Sequence, residues 1–164
     1  MYQRILVALD GGTASEAALD DAIPLAQAMG AEVEVIYVVD DSSPFLDVTG
    51  MDPVRLIDDL VMVGESVLSA AANKLGRAGV RHCTRLLSKH MIRDDIATTI
   101  VAEAAAWPAD LIVMGTHGRR GARRLIMGSV SRGVMVRTTL PVLLVCQARD
   151  GIHSPISSHG KELA

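Results

Sequence analysis

Five short runs that predict strands recur along the chain, mostly apolar except for the third, in which basic residues are interleaved, and each is separated from the next by a segment long enough to form a helix. The runs are residues 4–9 (RILVAL), 32–39 (EVEVIYVV), 80–87 (VRHCTRLL), 109–114 (ADLIVM) and 141–145 (PVLLV). Apolar runs of this kind are typical of strands buried on both faces of a parallel sheet. Long crossovers between them favour a doubly wound arrangement. The sequence therefore predicts a single-domain α/β fold, a doubly wound five-stranded parallel sheet with helices on both faces.

The segments between these runs carry helix signals. They predict helices over residues 13–29, 53–78, 94–106 and 129–138. Thr13 and Glu16 have the spacing of a capping box, which predicts that Thr13 caps the first helix. An apolar stripe on the second helix predicts the face that packs on the sheet. Its members are Leu56, Leu60, Val63, Val67 and Ala71.

The bulk composition sets the domain count and the location that we expect. A chain of 164 residues that is 49% hydrophobic suits one domain with a sizeable core, which we assign to residues 1–147. The polar tail, 148–164, is expected to be flexible. Cys83 and Cys146 have no metal-binding spacing, and no run approaches the length of a membrane span or a signal-peptide core. We therefore expect a cytoplasmic chain with reduced thiols and no membrane association.

Positive charge is concentrated in one window of an otherwise acidic chain. The formal net charge is −3, which argues against nucleic acid as a partner, yet residues 111–149 contain seven arginines and no Asp or Glu. A local positive field on an acidic protein favours a small anionic ligand over a long polyanion.

The centre of that window is the sequence GTHGRRGARRLIMGSVS, residues 115–131. Because it follows a predicted strand and opens a predicted helix, backbone N–H groups at Ser129 and the residues after it should point at the loop. Gly115 and Gly118 can take positive φ and let a ligand approach the backbone closely. We expect the Ser129 and Ser131 hydroxyls to donate and arginines such as Arg119 to be able to add charge-assisted bonds. The stretch predicts a cradle for a di- or triphosphate. The simpler alternative is a turn with a solvated arginine face.

The stretch does not match the sequence patterns of known phosphate-binding loops. It contains no Gly-Lys-Ser/Thr sequence, and the chain has no lysine between Lys89 and Lys161. Its first glycines are spaced three apart, which differs from the dinucleotide GxGxxG pattern. His117 lies inside the loop, where it either contacts a phosphate or, like most loop histidines, has no such role.

The pattern Gly115-x-x-Gly118, nine residues, then Gly128-Ser129 resembles the nucleotide-binding motif of the universal stress protein family. The segments RILVALDGG, VIYVVD, ADLIVMGTHG and PVLLV are similar to signatures of that family in the same order, so that the resemblance spans residues 2–147. It implies an adenine nucleotide alpha hydrolase-like fold that binds ATP, with Mg²⁺ as the expected companion.

The resemblance also implies roles for particular residues. The phosphates and ribose would be held by Gly115, Gly118, Gly128, Ser129, Val130 and Ser131. The adenosine side would be lined by Ala8, Leu9 and Asp10, and the backbone of Val38 would meet adenine. A homodimer would form through the last strand, Pro141, Val142, Leu143, Leu144 and Val145. Residues 88–93 (SKHMIR) depart from the family, which often has a glycine near the position of His90.

Asp10 is the carboxylate closest to the expected site along the chain. Because a carboxylate repels phosphates, we expect it near the ribose, the adenine amine or a bound Mg²⁺. The alternative is that Asp10 only caps the turn at Gly11 and Gly12.

Three functions remain open on the sequence. The leading one is a nucleotide-dependent regulator or sensor of stress with at most slow ATP hydrolysis, since no nucleophile–base pair or nearby lysine is present. The sequence DGGTAS, residues 10–15, distantly resembles the SGGxDS loop of enzymes that cleave ATP at the α-phosphate. The third is a dimerisation module that holds another anion, such as cyclic AMP or sulfate.

Overall fold

The structure is a computed structural model, and it describes residues 1–40, 53–88, 95–117 and 127–146. The described strands are β1 (Arg4–Leu9), β2 (Glu32–Val39), β3 (His82–Ser88), β4 (Leu111–Gly115) and β5 (Val142–Val145). The described helices are α1 (Thr13–Met29), α2 (Pro53–Arg77), α3 (Ile96–Ala106) and α4 (Ser129–Arg137). These elements match the predicted order, with ends shifted by two residues or fewer. Gly118, Arg119, residues 89–93 and the tail lie outside the described residues.

The five strands form one parallel sheet in the order β3-β2-β1-β4-β5. Strand β1 lies at the centre, where Ala8 is in register with Ile36 of β2 on one side and Met114 of β4 on the other. The strand order reverses direction between β1 and β4, since the chain first builds outward through β2 and β3 and then returns. The predicted doubly wound five-stranded fold is confirmed.

Two apolar layers cover the two faces of the sheet. Along β1, Ile5 and Val7 join the layer beneath α1 and α2, whereas Leu6 and Ala8 join the layer beneath α3 and α4. Ile5, Leu6 and Val7 are completely buried. Because alternate residues of the central strands enter different cores, both must be apolar, which explains the near-continuous runs in the sequence.

The start of α1 differs from the predicted capping box. Gly12 is the N-cap, it makes no side-chain cap bond, and Thr13 is already the first helical residue. The turn is instead held by Ser15, whose Oγ donates to the Gly12 carbonyl oxygen at 2.8 Å. Gly11 has a φ of 75°, a conformation that side chains disfavour. The sharp turn after β1 therefore brings the helix start one residue closer to the strand than a threonine cap would allow.

The apolar stripe of α2 matches the prediction at Leu60, Val67 and Ala71, which pack on the core, but not at Val63. Leu68, Ala71 and Leu75 are buried, but Val63 is 40% exposed and its neighbour Gly64 is buried instead. A Cβ on Gly64 would lie 2.6 Å from Leu86 Cδ1. The helix approaches the sheet most closely at this glycine, and the close approach turns Val63 toward the surface. The Leu56 side chain lies outside the described part of the structure.

Candidate functional site

The carboxyl ends of β1 and β4 lie side by side at the point where the strand order reverses. The turn after β1 leads directly into α1, and the described part of the connection after β4 resumes at residue 127 to enter α4. Ligands of doubly wound sheets bind beyond the carboxyl ends of the strands at such a reversal. Most of the predicted site residues lie at this edge of the sheet.

Two hydrogen bonds fix the start of α4 against the end of β4, and the backbone carbonyl of Thr116 accepts both. The Thr116 carbonyl oxygen accepts from Gly128 N–H and from Ser131 Oγ, each at 2.9 Å. The Thr116 N–H in turn donates to the Val145 carbonyl oxygen of β5 at 2.9 Å. We call Thr116, Gly128 and Ser131 the α4 latch. It sets the first turn of the helix at a defined position beside the strand ends.

The first turn of α4 presents backbone donors that the helix itself does not use. Its first i to i−4 bond runs from Arg132 N–H to the Gly128 carbonyl oxygen at 3.1 Å. The N–H groups of Ser129, Val130 and Ser131 precede that bond, and no described side chain caps the helix at Gly128. Such N–H groups, together with the helix dipole, favour an anion. The described half of the predicted cradle therefore has the donors expected of it.

Ser131 contributes differently from the expectation. Its side chain is 2% exposed, and its hydroxyl donates to the Thr116 carbonyl oxygen within the α4 latch. The hydroxyl hydrogen is therefore used inside the protein, which leaves the backbone N–H of Ser131 as its donor toward a ligand. Ser129 is exposed, and within the described structure its hydroxyl is not tied to the protein by a hydrogen bond like that of Ser131.

Gly115 also has a different role from the one expected for its residue type. Among the described glycines, Gly11, Gly30 and Gly79 have positive φ, and Gly115, as the last residue of β4, does not. A Cβ on Gly115 would lie 2.8 Å from the Ala14 carbonyl carbon and 2.9 Å from the Ser15 nitrogen. The missing side chain therefore admits the first turn of α1 against the end of β4, and the positive φ that glycine allows is not used at this position.

The residues predicted to line the adenosine side lie on β1 and β2 or directly after β1. Their side chains and their backbone atoms differ in whether a ligand can reach them. The side chains of Ala8 and Leu9 are buried in the two opposite core layers, so that only their backbone atoms are available to a ligand. Leu9 is in register with Tyr37. Val38 of β2 is therefore level with Asp10, one strand away, and its half-buried side chain packs in the layer beneath α3 and α4.

Asp10 performs the turn-capping role that the sequence left as the alternative. Its Oδ1 accepts from the Gly12 N–H at 2.9 Å, and its own N–H contacts Ser15 Oγ at 3.4 Å. The carboxylate is half-buried at the end of β1. It thus lies at the same edge of the sheet as the start of α4, on the adjacent strand.

Thr116 and His117 belong to this site, although the residues predicted for it did not include them. His117 Nδ1 lies 2.9 Å from Thr116 Oγ1, and its Nε2 is buried without a hydrogen-bond partner in the described structure. Thr116 contributes through its backbone N–H and carbonyl groups, and residue type gives no sequence signal for such a role. For His117 the sequence offered only its position in the loop.

Two features are absent from the described residues. No group of three or more His, Cys, Asp or Glu side chains is arranged to hold a metal ion in this part of the chain. Among the described helices, none combines the length and apolarity that crossing a membrane would require.

Several known proteins similar to this chain are described as universal stress proteins. The profile of the universal stress protein family matches residues 1–145. A universal stress protein of Methanocaldococcus jannaschii is 35% identical over 146 residues, covering 88% of this chain and 82% of that protein. A crystal structure of a protein from the same family from Burkholderia pseudomallei has 34% identity and a TM-score of 0.70, covering 88% of this chain and 96% of the other. A universal stress protein solved in complex with cAMP has 25% identity and a TM-score of 0.59, covering 88% and 97%. The chain belongs to the universal stress protein family.

Proposed function

We propose that this protein binds ATP and acts in the cytoplasm as a nucleotide-dependent regulator or sensor of stress. The observation that carries the proposal is the first turn of α4, where three backbone N–H groups precede the first helical bond and no described side chain caps them. Helix starts of this kind bind phosphate groups. The α4 latch holds this one at the strand-order reversal, where doubly wound sheets bind ligands.

The strand ends suggest how the nucleotide would lie. The phosphates would meet the N–H groups of Ser129 and its neighbours, with Gly118 and Arg119 as further proposed contacts. The adenosine would lie toward β1 and β2, where Val38 offers backbone groups. A relative of 25% identity was solved with cAMP, and the presence of an adenine nucleotide in that protein supports the choice of base.

We further propose that Mg²⁺ lies with the phosphates, where Asp10, at the end of the strand adjacent to β4, is a described carboxylate that could face it. Mg²⁺ commonly keeps several waters and takes one or two carboxylates plus phosphate oxygens. The absence of a three-residue metal cluster among the described residues is compatible with an ion held mainly by the nucleotide.

Calorimetric titration of the purified protein with ATP, AMP and cyclic AMP, each with and without Mg²⁺, tests this proposal. We expect saturable binding of one ATP per chain and weaker binding of AMP, since AMP offers fewer phosphate oxygens to the α4 N–H groups. Mass spectrometry of the denatured protein should also release any nucleotide kept through purification. Absence of heat with every nucleotide contradicts the proposal.

The same experiments separate the other two candidate functions. Tighter binding of cyclic AMP than of ATP would favour the second candidate, a module for another anion, which the cAMP-bound relative supports. An enzyme that cleaves ATP at the α-phosphate would form AMP and pyrophosphate rapidly. We expect at most slow hydrolysis to ADP, because the chain has no lysine between Lys89 and Lys161 to stabilise transferred phosphate charge.

We further propose that two copies form a homodimer through β5. In the described sheet β5 is the outermost strand and pairs with β4 on one side. Its Leu143 side chain is 37% exposed. An uncovered edge of this kind is a template for pairing with another strand.

Lysine at Leu143 should convert the dimer to a monomer, because a charge on an edge strand opposes pairing between strands. Analytical ultracentrifugation should give about twice the chain mass of 17.4 kDa for the wild type and one chain mass for Leu143→Lys. Met62→Lys is the matched control, since Met62 on α2 is 66% exposed and lies away from β5. A Leu143→Lys protein that remains a dimer would exclude β5 as the interface.

A further inference from the structure

A buried polar cluster lies between β2, β3 and α3, away from the α4 latch. It consists of Glu34 on β2, Cys83 and Arg85 on β3, and Glu103 on α3. Glu34 is 3% exposed and Glu103 is 8% exposed. Carboxylates are rarely buried to this degree unless they are paired.

The cluster contains one cation for its two buried carboxyl groups. Arg85 forms an ion pair with Glu103 through a short contact, and the Arg85 side chain is 53% exposed while that of Glu103 is 9% exposed. Glu34 receives a weaker contact, since the Cys83 thiol donates to its Oε1 at 3.9 Å. Glu34 Oε2 is buried and has no hydrogen-bond partner in the described structure. An ionised Glu34 would therefore leave half of its charge without a compensating contact.

Among the described residues, Arg85 is the one cation whose charge lowers the pKa of Glu34. In register beside it, β1 offers the apolar Leu6 and β3 offers Cys83. Glu32, two residues away on the same face of β2, is a third acid, and Arg4 of β1 is in register with Glu32 rather than with Glu34. A proton is thus the simplest partner that neutralises the Glu34 side chain.

We propose that Glu34 is a proton-binding site that controls the β3 edge of the sheet: its side chain is an uncharged acid when protonated, and its ionisation loosens the packing of β3 and α3 against β2. The edge is suited to this because β3 is the outermost strand of the described sheet and pairs with β2. Both strands contribute polar groups to the cluster, and Glu103 of α3 lies across them. The negative charge of an ionised Glu34 would therefore act on β3, which has a neighbouring strand on one side only in the described sheet.

The titration of Glu34 fits this geometry. Burial, and then the nearby charge of Glu103, raise the pKa of Glu34 from 4.5 to about 7, although Arg85 and Cys83 act in the opposite direction. Burial and the charge of Glu34 also raise the pKa of the Cys83 thiol, which keeps it protonated as the donor. The folded state therefore binds more protons than the unfolded chain between pH 4.5 and about 7. Stability should fall as the pH rises through this window and should level off above it.

The direct test is the titration of the Glu34 carboxyl carbon by NMR, together with urea unfolding at about pH 5 and about pH 8. We expect the carboxyl carbon to titrate near pH 7 rather than near 4.5. The urea midpoint of the wild type should be lower at the higher pH. Glu34→Gln, which keeps the shape without the charge, should lose most of this pH dependence. Glu32→Gln, on the same strand and face, should keep it.

Hydrogen exchange then locates the effect. At about pH 8, amides of β3 and α3 should exchange faster in the wild type than in Glu34→Gln, while amides of β4 should exchange equally in both. Should Glu34→Gln fail to fold, Glu103→Gln provides a second test, because it frees Arg85 for Glu34 and should lower the pH at which the carboxyl carbon titrates. A Glu34 carbon that titrates near 4.5, or a pH dependence unchanged in Glu34→Gln, overturns the proposal.

Discussion

Glutamate at Gly128 should abolish ATP binding while leaving the protein folded. Gly128 has φ −60° and ψ 155°, which any residue can adopt. A glutamate there would bring a carboxylate to the N–H groups of the first turn of α4, where the phosphates are proposed to bind. Its bulk and its negative charge both oppose the nucleotide. We expect a loss of affinity of about 100-fold or more, which corresponds to about 2.7 kcal/mol.

The fold should tolerate this change because a carboxylate near a helix start is favourable by about 0.3–1 kcal/mol. A Cβ at Gly128 would lie 3.2 Å from the Thr116 carbonyl oxygen, which requires a small adjustment of the α4 latch. The urea midpoint should therefore remain close to that of the wild type. Calorimetry measures the affinity, and urea unfolding confirms that the variant is intact.

Gly128→Gln is the matched control because it has the size of glutamate without its charge. It should bind ATP more weakly than the wild type and more tightly than Gly128→Glu, and the difference between the two variants measures the electrostatic part. Wild-type ATP affinity in folded Gly128→Glu would show that the phosphates bind away from α4.

Alanine at Gly115 should destabilise the fold by about 1–3 kcal/mol, the usual cost of overpacking. The added Cβ would lie 2.8 Å from the Ala14 carbonyl carbon and 2.9 Å from the Ser15 nitrogen. Both atoms belong to the backbone of the first turn of α1, so that the contact cannot be relieved by a side-chain rotation. The first turn of α1 or the end of β4 must move instead.

Urea unfolding of Gly115→Ala and Gly76→Ala measures this effect against a glycine with room around it. A Cβ on Gly76 of α2 would meet no closer atom than His82 Cε1 at 3.8 Å. Alanine there should stabilise the helix by up to about 1 kcal/mol. Opposite signs for the two variants are expected. Equal stability of Gly115→Ala and the wild type would contradict the close approach of α1 to β4.

A displaced α1 should also affect the site, because the same turn holds Asp10 through Gly12. Gly115→Ala should therefore weaken nucleotide binding as well as lower stability, whereas Gly128→Glu should weaken binding alone. The comparison separates a residue that shapes the site through packing from one that lies against the phosphates.

The order and type of the described elements could be predicted because the apolar runs and the helix boundaries are local signals. Gly30, for example, ends α1 in the left-handed conformation that its residue type suggests. The predicted cap at Thr13 and the predicted burial of Val63 were wrong for a different reason. Both depend on where a helix meets the sheet, and the close approaches of α1 and α2 occur at Gly115 and Gly64 in the folded protein.

The candidate site likewise has features that the sequence predicted and features that it did not. The sequence predicted that Gly128 and Ser129 lie at the start of a helix, because their spacing from the preceding strand is a local sequence feature. The sequence did not predict that the Ser131 hydroxyl is buried or that Thr116 accepts its hydrogen bond. Both features depend on a bond between two residues fifteen positions apart. The predicted contacts of Gly118 and Arg119 lie outside the described residues and stay predictions.

The sequence by itself determined the doubly wound sheet, the family and the helix start at Ser129, because periodicity, turn residues and motif spacing are properties of neighbouring residues. Tertiary structure alone decided how its special residues are used. Gly115 admits the start of α1, the Ser131 hydroxyl is bound within the α4 latch, and Glu34 lies in a cluster with Cys83, Arg85 and Glu103. Each of these outcomes depends on atoms that are distant in sequence and become neighbours only when the layers pack.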